Sequence, residues 1–457
     1  MELFGSSGIR GVVNAEFGPD DALAVAQAAG TELDADRVAL ARDTRATGRM
    51  LVDAAASGFA SVGVSVHRLG VLPTPGLQAY CEREELPGLM VTASHNPPEY
   101  NGVKLVAADG VELPRERLEA VERRLFEDGT EPVAWDETGD TREIADARER
   151  YVRDLLAATD REAVAAADLT VAIDPGNGAG SLTSPDFFRR LGCAVRTIHA
   201  QADGHFPGRD PEPVEAQLGD LQRFVRTTDA DLGVAHDGDA DRAIFVDERG
   251  ELLAGDATFA ALAAAELAAG DTVVSAVNAS QRLVDAAESA GAELSLTPIG
   301  STFIVTRIRQ LERDGETVPV AGEGNGGVIF PRYRIARDGA YTAARFLELL
   351  ADADAPASEV TAAYDGYENV RRDLSYDDDA EREAMLAAVE RVAGEADADL
   401  TTIDGYRLDY GDAWVLARPS GTEPVVRVYA EARSADRASE LADGMVEAAQ
   451  GAAADVS

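Results

Sequence analysis

The sequence has almost no lysine. Of its 42 basic side chains in 457 residues, only Lys104 is a lysine and all the others are arginine. An ammonium can lose its proton near neutral pH and a guanidinium cannot, so Lys104 is a candidate for proton transfer or for a compact charge beside a reacting oxygen. A lone lysine would otherwise read as a surface remnant, but this one lies within TASHNPPEYNGVKL, residues 92–105. Cysteine is scarce as well. Cys81 and Cys193 are far apart and follow no metal spacing, which excludes a disulfide scaffold and points to a reducing cytoplasm with both thiols buried. Positive charge is deficient overall: 83 acidic residues give a formal net charge of -41. Such a surface repels nucleic-acid phosphates and anionic lipid heads, which excludes nucleic acid and membrane as general partners. The longest apolar stretch, around residues 257–270, is broken by Glu266, so no transmembrane helix is expected. No basic flank precedes an apolar run at the start, so no secretion signal is expected either.

What is present is ample apolar material. A hydrophobic content of 45% suits a globular chain, and the length calls for three or four domains of roughly 100–150 residues each. A uniformly acidic, lysine-poor composition is that of a halophilic protein working in concentrated salt, where the Debye length falls to about 3 Å and self-repulsion is screened.

Segments alternate between β-rich runs, turns and alanine-rich helices. RVALARD at 37–43 leads into a helix from Thr47 and then into VGVSVHRLG at 62–70, and TVVSAVNAS at 272–280 leads through a helix to AELSLTP at 292–298. This pattern predicts parallel α/β layers. The helices share a phrase, LVDAAASG at 51–58 and LVDAAESAG at 283–291, which suggests duplicated domains. LTVAIDPGNGAG at 169–180 opens a further unit, as a structural turn rather than a dinucleotide site, because the GxGxxG order is missing. Boundaries are expected near 148, within the charged segment ETGDTREIADARERYVRDLL read as a helix, and near 250 and 360. The expected domains are therefore 1–148, 149–250, 251–360 and 361–457, the last of α+β type.

Four loops carry the chemistry. In the first, Ser94 and His95 follow the apolar strand Leu89–Val91, at the carboxyl end where open α/β sheets form ligand crevices. Asn96, Pro97 and Pro98 make a rigid turn, so Ser94 can serve as nucleophile or phosphate carrier, with Lys104 and His95 at hand. In the second, HDGDADR at 236–242, Asp237, Asp239 and Asp241 alternate, so that in an extended loop three carboxylates converge on a hard cation. An EF-hand is disfavoured because Arg242 stands where that motif needs glycine, and oxygen-only ligands point to Mg²⁺, with a solvated acidic turn as the alternative. The third, GEGNGGVIFP at 322–331, follows the expected strand TVPVA and offers Glu323 and Asn325 to sugar hydroxyls. The fourth, ARPSGTEPVVRV at 417–428, gathers Arg418, Ser420, the Gly421 and Thr422 amides and Arg427 into an anion cradle between two strands.

With FGSSGIRG at 4–11 as an opening motif, these loops in this order resemble the α-D-phosphohexomutase family, which includes phosphoglucomutase, phosphomannomutase and phosphoglucosamine mutase. The resemblance spans essentially the whole chain. It implies an α/β protein: three related α/β domains with mixed sheets and a C-terminal α+β domain, arranged around a central cleft. It implies that Ser94 carries the phosphoryl group, that Asp237, Asp239 and Asp241 hold Mg²⁺ with a phosphoserine oxygen of Ser94, and that Arg242 lies beside them. Lys104 matches a proton-transferring lysine and Arg10 an arginine near the phosphoserine. Glu323 and Asn325 fall in the sugar-hydroxyl loop, and Arg418, Ser420, Gly421, Thr422 and Arg427 fall where the phosphate not being transferred is gripped.

The implied activity interconverts hexose 6-phosphate and hexose 1-phosphate through a hexose 1,6-bisphosphate, which serves as intermediate and activator. Many members read GE-x-SGH in the sugar loop, whereas this chain has Asn325 and Gly327 at the last two changed positions, so no histidine is available there. GEGNGG resembles archaeal members, linked to phosphoglucosamine mutase. Glucose and mannose phosphates remain alternative substrates, and a phosphomonoesterase or a sugar-phosphate sensor remain alternative functions. The expected partners are small sugar phosphates, and the expected state is a cytoplasmic monomer or homodimer.

Overall fold

A computed structural model of the chain describes Phe4, residues 8–420 and residues 424–454. Four sheets follow one another along the sequence. The first has six strands in the order Ile9–Val12, Tyr100–Val106, Gly88–Val91, Arg37–Arg42, Ser65–Val71 and Thr141–Glu143. Its first two pairings are antiparallel and the other three parallel, so the sheet is mixed. The second sheet, Ile244–Val246, Leu232–Ala235, Thr170–Asp174 and Ala194–Thr197, is likewise mixed. So is the third, which runs Glu293–Thr297, Thr272–Ala276, Ala321–Glu323, Gly327–Phe330 and Arg334–Arg337. The fourth, Glu368–Ser375, Val425–Ala432, Ala413–Pro419, Tyr406–Asp409 and Asp399–Thr401, is wholly antiparallel.

The shared helical phrase occupies equivalent places. Gly48–Ser61 joins the parallel strands Arg37–Arg42 and Ser65–Val71, and Gln281–Ala290 joins the parallel strands Thr272–Ala276 and Glu293–Thr297. A parallel pair needs a crossover of this kind, and the small alanine faces let each helix lie close to its sheet. In the fourth unit two long helices, Asp379–Glu395 and Ala435–Ala454, pack together over one face through Met385, Val389, Leu441 and Met445.

Two local expectations are corrected. The segment 137–156 is not one helix: Thr141–Glu143 pairs in parallel with Ser65–Val71, and only Ala147–Ala157 is helical. Gly139 admits that edge strand, since a Cβ there would lie 2.2 Å from the Val64 carbonyl oxygen. The strand expected over TVPVA begins only at Ala321. Pro319 has no N–H to give to a ladder, which delays the pairing past it.

Apolar packing runs continuously between the second and third units, through Phe187, Phe188, Phe245, Phe330 and Phe346, with the Phe245 and Phe346 rings 4.6 Å apart. The third and fourth units meet differently, around a fully buried Glu431. It accepts hydrogen bonds from the Ser280 hydroxyl at 2.8 Å, the Gln281 amide at 2.5 Å, Arg282 at 3.0 Å and the Trp414 indole at 3.2 Å.

Candidate active site

Strand ends of the first sheet deliver the site. Ser94 lies three residues beyond the strand Gly88–Val91, with φ at +51°, a left-handed conformation that costs a residue with a side chain of order 1 kcal/mol. The surroundings hold it there. Its amide donates to the Thr92 hydroxyl at 2.8 Å, which in turn donates to Asp43 at 2.6 Å. Arg45, fully buried and paired with Asp43 at 3.0 Å, gathers the carbonyls of Ser94, Asn96, Pro97 and Tyr100. With the loop fixed in this way, the Ser94 hydroxyl donates to Asp237 Oδ2 at 2.8 Å.

The three aspartates arrive on the loop between the antiparallel strands Leu232–Ala235 and Ile244–Val246. The loop is turned rather than extended, with Ala240 left-handed at φ +56°, yet one oxygen from each carboxylate falls within 4.8 Å of the others. All three residues are buried. Asp239 accepts from the Thr74 hydroxyl at 2.5 Å and from Lys104 at 3.2 Å. Asp241 accepts from Lys104 at 3.4 Å and from Arg337 at 2.7 Å.

Burial, followed by the charges of Asp241 and Asp239, pushes the pKa of Asp237 well above the usual carboxylate range. Burial acts the same way on Asp239 and Asp241, but Lys104 and Thr74 hold the first below its ordinary value and Arg337 does so for the second. Lys104 feels the converse: burial works against its charge, and Asp239 and Asp241 outweigh burial and raise its pKa. In this cage the side chain is an ammonium at neutral pH.

Arg242 crosses the same space, with Nε 3.9 Å from Asp237 and 3.8 Å from Asp241, and it donates to His95 Nδ1 at 3.3 Å. Burial and then the positive charges of Arg242 and Arg10 drive the His95 pKa down to about 3, so the imidazole accepts that bond in its neutral form. Arg10 donates to the Asn96 side chain at 2.9 Å. Neutral His236 braces the loop from behind: its two ring nitrogens meet the Arg242 carbonyl at 2.8 Å and the Ser184 hydroxyl at 3.1 Å.

The residues present fit a hard divalent cation. Asp239 Oδ1 and Asp241 Oδ1 are buried with no hydrogen-bond partner, and the donor set is carboxylate oxygen throughout. The sugar-loop candidates lie next to this cage. The Gly326 carbonyl accepts from the Ala243 amide at 3.0 Å, and Arg337 reaches from Asp241 to within 4.0 Å of Glu323. Asn325 accepts from the Gly327 amide at 3.0 Å and donates to Glu323 at 3.4 Å. Glu323 and Asn325 also line a cavity of about 340 Å³ with Ser275, Asn369, Trp414 and Tyr429, between the third and fourth sheets.

The C-terminal candidates are on that fourth sheet. Arg418 and Arg427 are directly opposite in antiparallel register, where like charges repel unless an anion lies between them. Arg418 Nε is 3.1 Å from Asp404 without hydrogen-bond geometry, and Arg427 is 4.0 Å from Asp373. The Ser420 amide donates to the Val425 carbonyl at 2.8 Å. Gly421 and Thr422 lie outside the described residues.

The sequence reading missed Asp43, Arg45, Thr74 and Arg337. The first three were within reach, because Asp43, Arg45 and Thr74, like Ser94, lie within three residues of a strand's carboxyl end in the first sheet. Arg337 is one arginine among many and carried no signal.

The chain matches four family models in sequence: phosphoglucomutase/phosphomannomutase alpha/beta/alpha domain I over residues 1–131, domain II over 149–250, domain III over 254–367 and the C-terminal domain over 374–448. It is 39% identical over 447 residues to a phosphoglucomutase/phosphomannomutase of Thermococcus kodakarensis, covering 96% of each chain. It is 38% identical over 450 residues to a probable phosphoglucosamine mutase of Methanopyrus kandleri, covering 98% of this chain and 97% of that one. Among solved structures, a phosphoglucomutase/phosphomannomutase family protein of Burkholderia thailandensis superposes with a TM-score of 0.86 at 27% identity, covering 98% of each chain.

Proposed function

The chain belongs to the phosphoglucomutase/phosphomannomutase family, and from that premise we propose that it moves one phosphoryl group between the 6- and 1-oxygens of a hexose, with glucosamine phosphate as its foremost substrate. It is an intramolecular phosphotransferase, an isomerase by overall reaction. The observation that carries the reading is a buried serine hydroxyl, held in a left-handed turn, 2.8 Å from one of three convergent carboxylates, which Lys104, Arg242 and Arg337 pair in turn.

In the proposed cycle Ser94 starts as phosphoserine. The free 1-hydroxyl of a hexose 6-phosphate attacks phosphorus, the P–Oγ bond breaks, the hydroxyl proton is lost and Ser94 Oγ regains one, leaving a hexose 1,6-bisphosphate. The sugar then turns over. Ser94 Oγ attacks phosphorus of the 6-phosphoryl group, the P–O6 bond breaks, the serine hydroxyl proton is lost and O6 gains one, which regenerates phosphoserine and frees hexose 1-phosphate. Such transfers depend on positioning and charge compensation more than on covalent help. Lys104 and Arg242 hold positive charge at the transferring group. Asp237, Asp239 and Asp241 would hold a divalent ion, with Mg²⁺ suited to an all-oxygen set, which would neutralise charge on the phosphoryl oxygens. Glu323 and Asn325 take sugar hydroxyls, and Arg418, Ser420 and Arg427 take the distal phosphate, where the unfilled Arg418 Nε supports an anion.

Glucose and mannose phosphates form a second reading, favoured by the Thermococcus kodakarensis relative. A panel of glucosamine, glucose and mannose 1-phosphates, assayed with Mg²⁺ in concentrated salt and compared by kcat/KM, decides between them. Release of inorganic phosphate in place of isomer would overturn the mutase assignment.

A further inference from the structure

The residue joining the aspartate loop to the sugar loop is Arg337, and its backbone is fixed before its side chain acts. The strand Arg334–Arg337 runs directly into Asp338, the N-cap of the helix Gly339–Ala353. Asp338 accepts from the Tyr151 hydroxyl at 2.8 Å, the Tyr333 hydroxyl at 3.1 Å and the Tyr341 amide at 3.1 Å. The next residue abuts the aspartate loop: the Gly339 amide donates to the Ala240 carbonyl at 3.2 Å, and a Cβ on Gly339 would stand 2.2 Å from the Arg242 carbonyl oxygen.

From that anchor the guanidinium spans two loops. Nη2 donates to Asp241 at 2.7 Å, the side chain's one hydrogen bond among the described residues, while Nη1 comes within 4.0 Å of Glu323. The stem crosses the face of Gly327. A Cβ at residue 327 would lie 2.6 Å from Arg337 Cδ and 3.0 Å from the Asn325 side-chain oxygen, so any other residue there must push both away. Gly327 has no positive φ to explain it, so the close approach is its reason.

We propose that Gly327 and Arg337 form one positioning device: the bare backbone at 327 admits the arginine stem, and the guanidinium so placed clamps Asp241 of the aspartate loop to Glu323 of the sugar loop. The device rests on the mutase reading and sets where a bound sugar sits relative to Ser94. Arg337 acts here as a positioning residue. Its fork suits the task better than an ammonium, because two nitrogens face two carboxylates at once.

A double-mutant cycle on the full chain, in salt and Mg²⁺, tests it with the best hexose 1-phosphate from the panel. A misplacement of about 1 Å costs on the order of 100-fold in rate. Gly327→Ala and Arg337→Ala are each expected to lower kcat by about that factor with KM changed only a few-fold, while intact mass still finds phosphate on Ser94. Once the stem is gone, the methyl at 327 meets only the Asn325 side-chain oxygen at 3.0 Å, which a shift of a few tenths of an ångström relieves, so the double variant is expected to be close to Arg337→Ala alone. Arg337→Lys is expected to recover part of the lost kcat. Multiplicative losses in the double variant would overturn the device, as would a fall in kcat matched by loss of folding in thermal melts. A wild type that turns over no hexose phosphate would remove the mutase reading and the device with it, whereas an active wild type with multiplicative losses would remove the device alone.

Discussion

Ser94 Oγ and Asp237 Oδ2 lie 2.8 Å apart although 143 positions separate them in the chain. The contact closes the first unit onto the second. It also places the hydroxyl beside the one aspartate of the three whose pKa burial and its neighbours push up. Ser94→Ala removes the oxygen that would carry phosphate and leaves the fold intact, so turnover is expected to fall by several orders of magnitude with little change in melting temperature. Residual isomerase activity within ten-fold of wild type would place the transferring group elsewhere.

Lys104 has no room for a larger head. It is 3% exposed, and its stem passes Gly8, where a Cβ would already be 3.0 Å from Lys104 Cγ. Lys104→Arg keeps the charge while enlarging the head and removing any chance of proton release, and it is expected to slow turnover at least about ten-fold. Rates near wild type in that variant would reduce the lysine to a source of charge.

His236 gives a pH signature in stability. Burial, the largest cause, brings its pKa down from an ordinary value near 6.5 to about 4. A histidine whose folded pKa is depressed stabilises the fold above its unfolded pKa, and that contribution is lost as pH falls from about 6.5 towards 4. The full swing approaches about 3 kcal/mol. Thermal melts in constant high salt should show wild type losing more stability than His236→Gln across that window. Parallel curves for the two proteins would remove the assignment.

Glu431 tests how the fourth unit is held. Breaking a buried, hydrogen-bonded ion pair from one side costs about 3–5 kcal/mol. Glu431→Ala takes the acceptor from the Ser280 hydroxyl, the Gln281 amide and the Trp414 indole and the carboxylate from Arg282, which keeps only the Tyr364 and Tyr367 carbonyls and the Ser280 hydroxyl. Calorimetry is expected to show the C-terminal unit unfolding in a separate, earlier transition, while a single unshifted transition would show that the remaining contacts, among them Arg407 on the Val277 and Ala279 carbonyls, hold the units together without Glu431.

The formal net charge of -41 predicts salt dependence. Lowering the salt from molar to about 0.1 M lengthens the Debye length from about 3 to about 10 Å and restores repulsion among the carboxylates. Activity and melting temperature should both fall on desalting, and their survival would remove the halophilic reading.

Much of this architecture was legible in the chain because its strongest signals are local. The repeats over 37–70 and 272–298 alternate β-rich runs with alanine-rich helices, and they form crossovers between parallel strands. The alternating aspartates converge as expected, although a turn at Ala240 brings them together and not an extended strand. What escaped is non-local or lacks a pattern. Thr141–Glu143 is exposed at all three positions, so no alternation marks it as a strand. Arg337 reaches Asp241 across 96 residues, and among so many arginines nothing in the order of residues marks this one. Asp43 and Thr74 needed only the rule that ligands gather at the carboxyl ends of parallel strands, applied to every strand of the sheet and not only to the one before Ser94.

The most direct test follows phosphorus itself. The chain is incubated with ³²P-labelled hexose 1,6-bisphosphate, digested and mapped, and a second sample is chased with unlabelled hexose 6-phosphate before digestion. The label is expected on the single peptide that contains Ser94 and is expected to leave it during the chase as sugar bisphosphate. Steady isomerisation with no label on that peptide, or label leaving only as inorganic phosphate, would contradict the account.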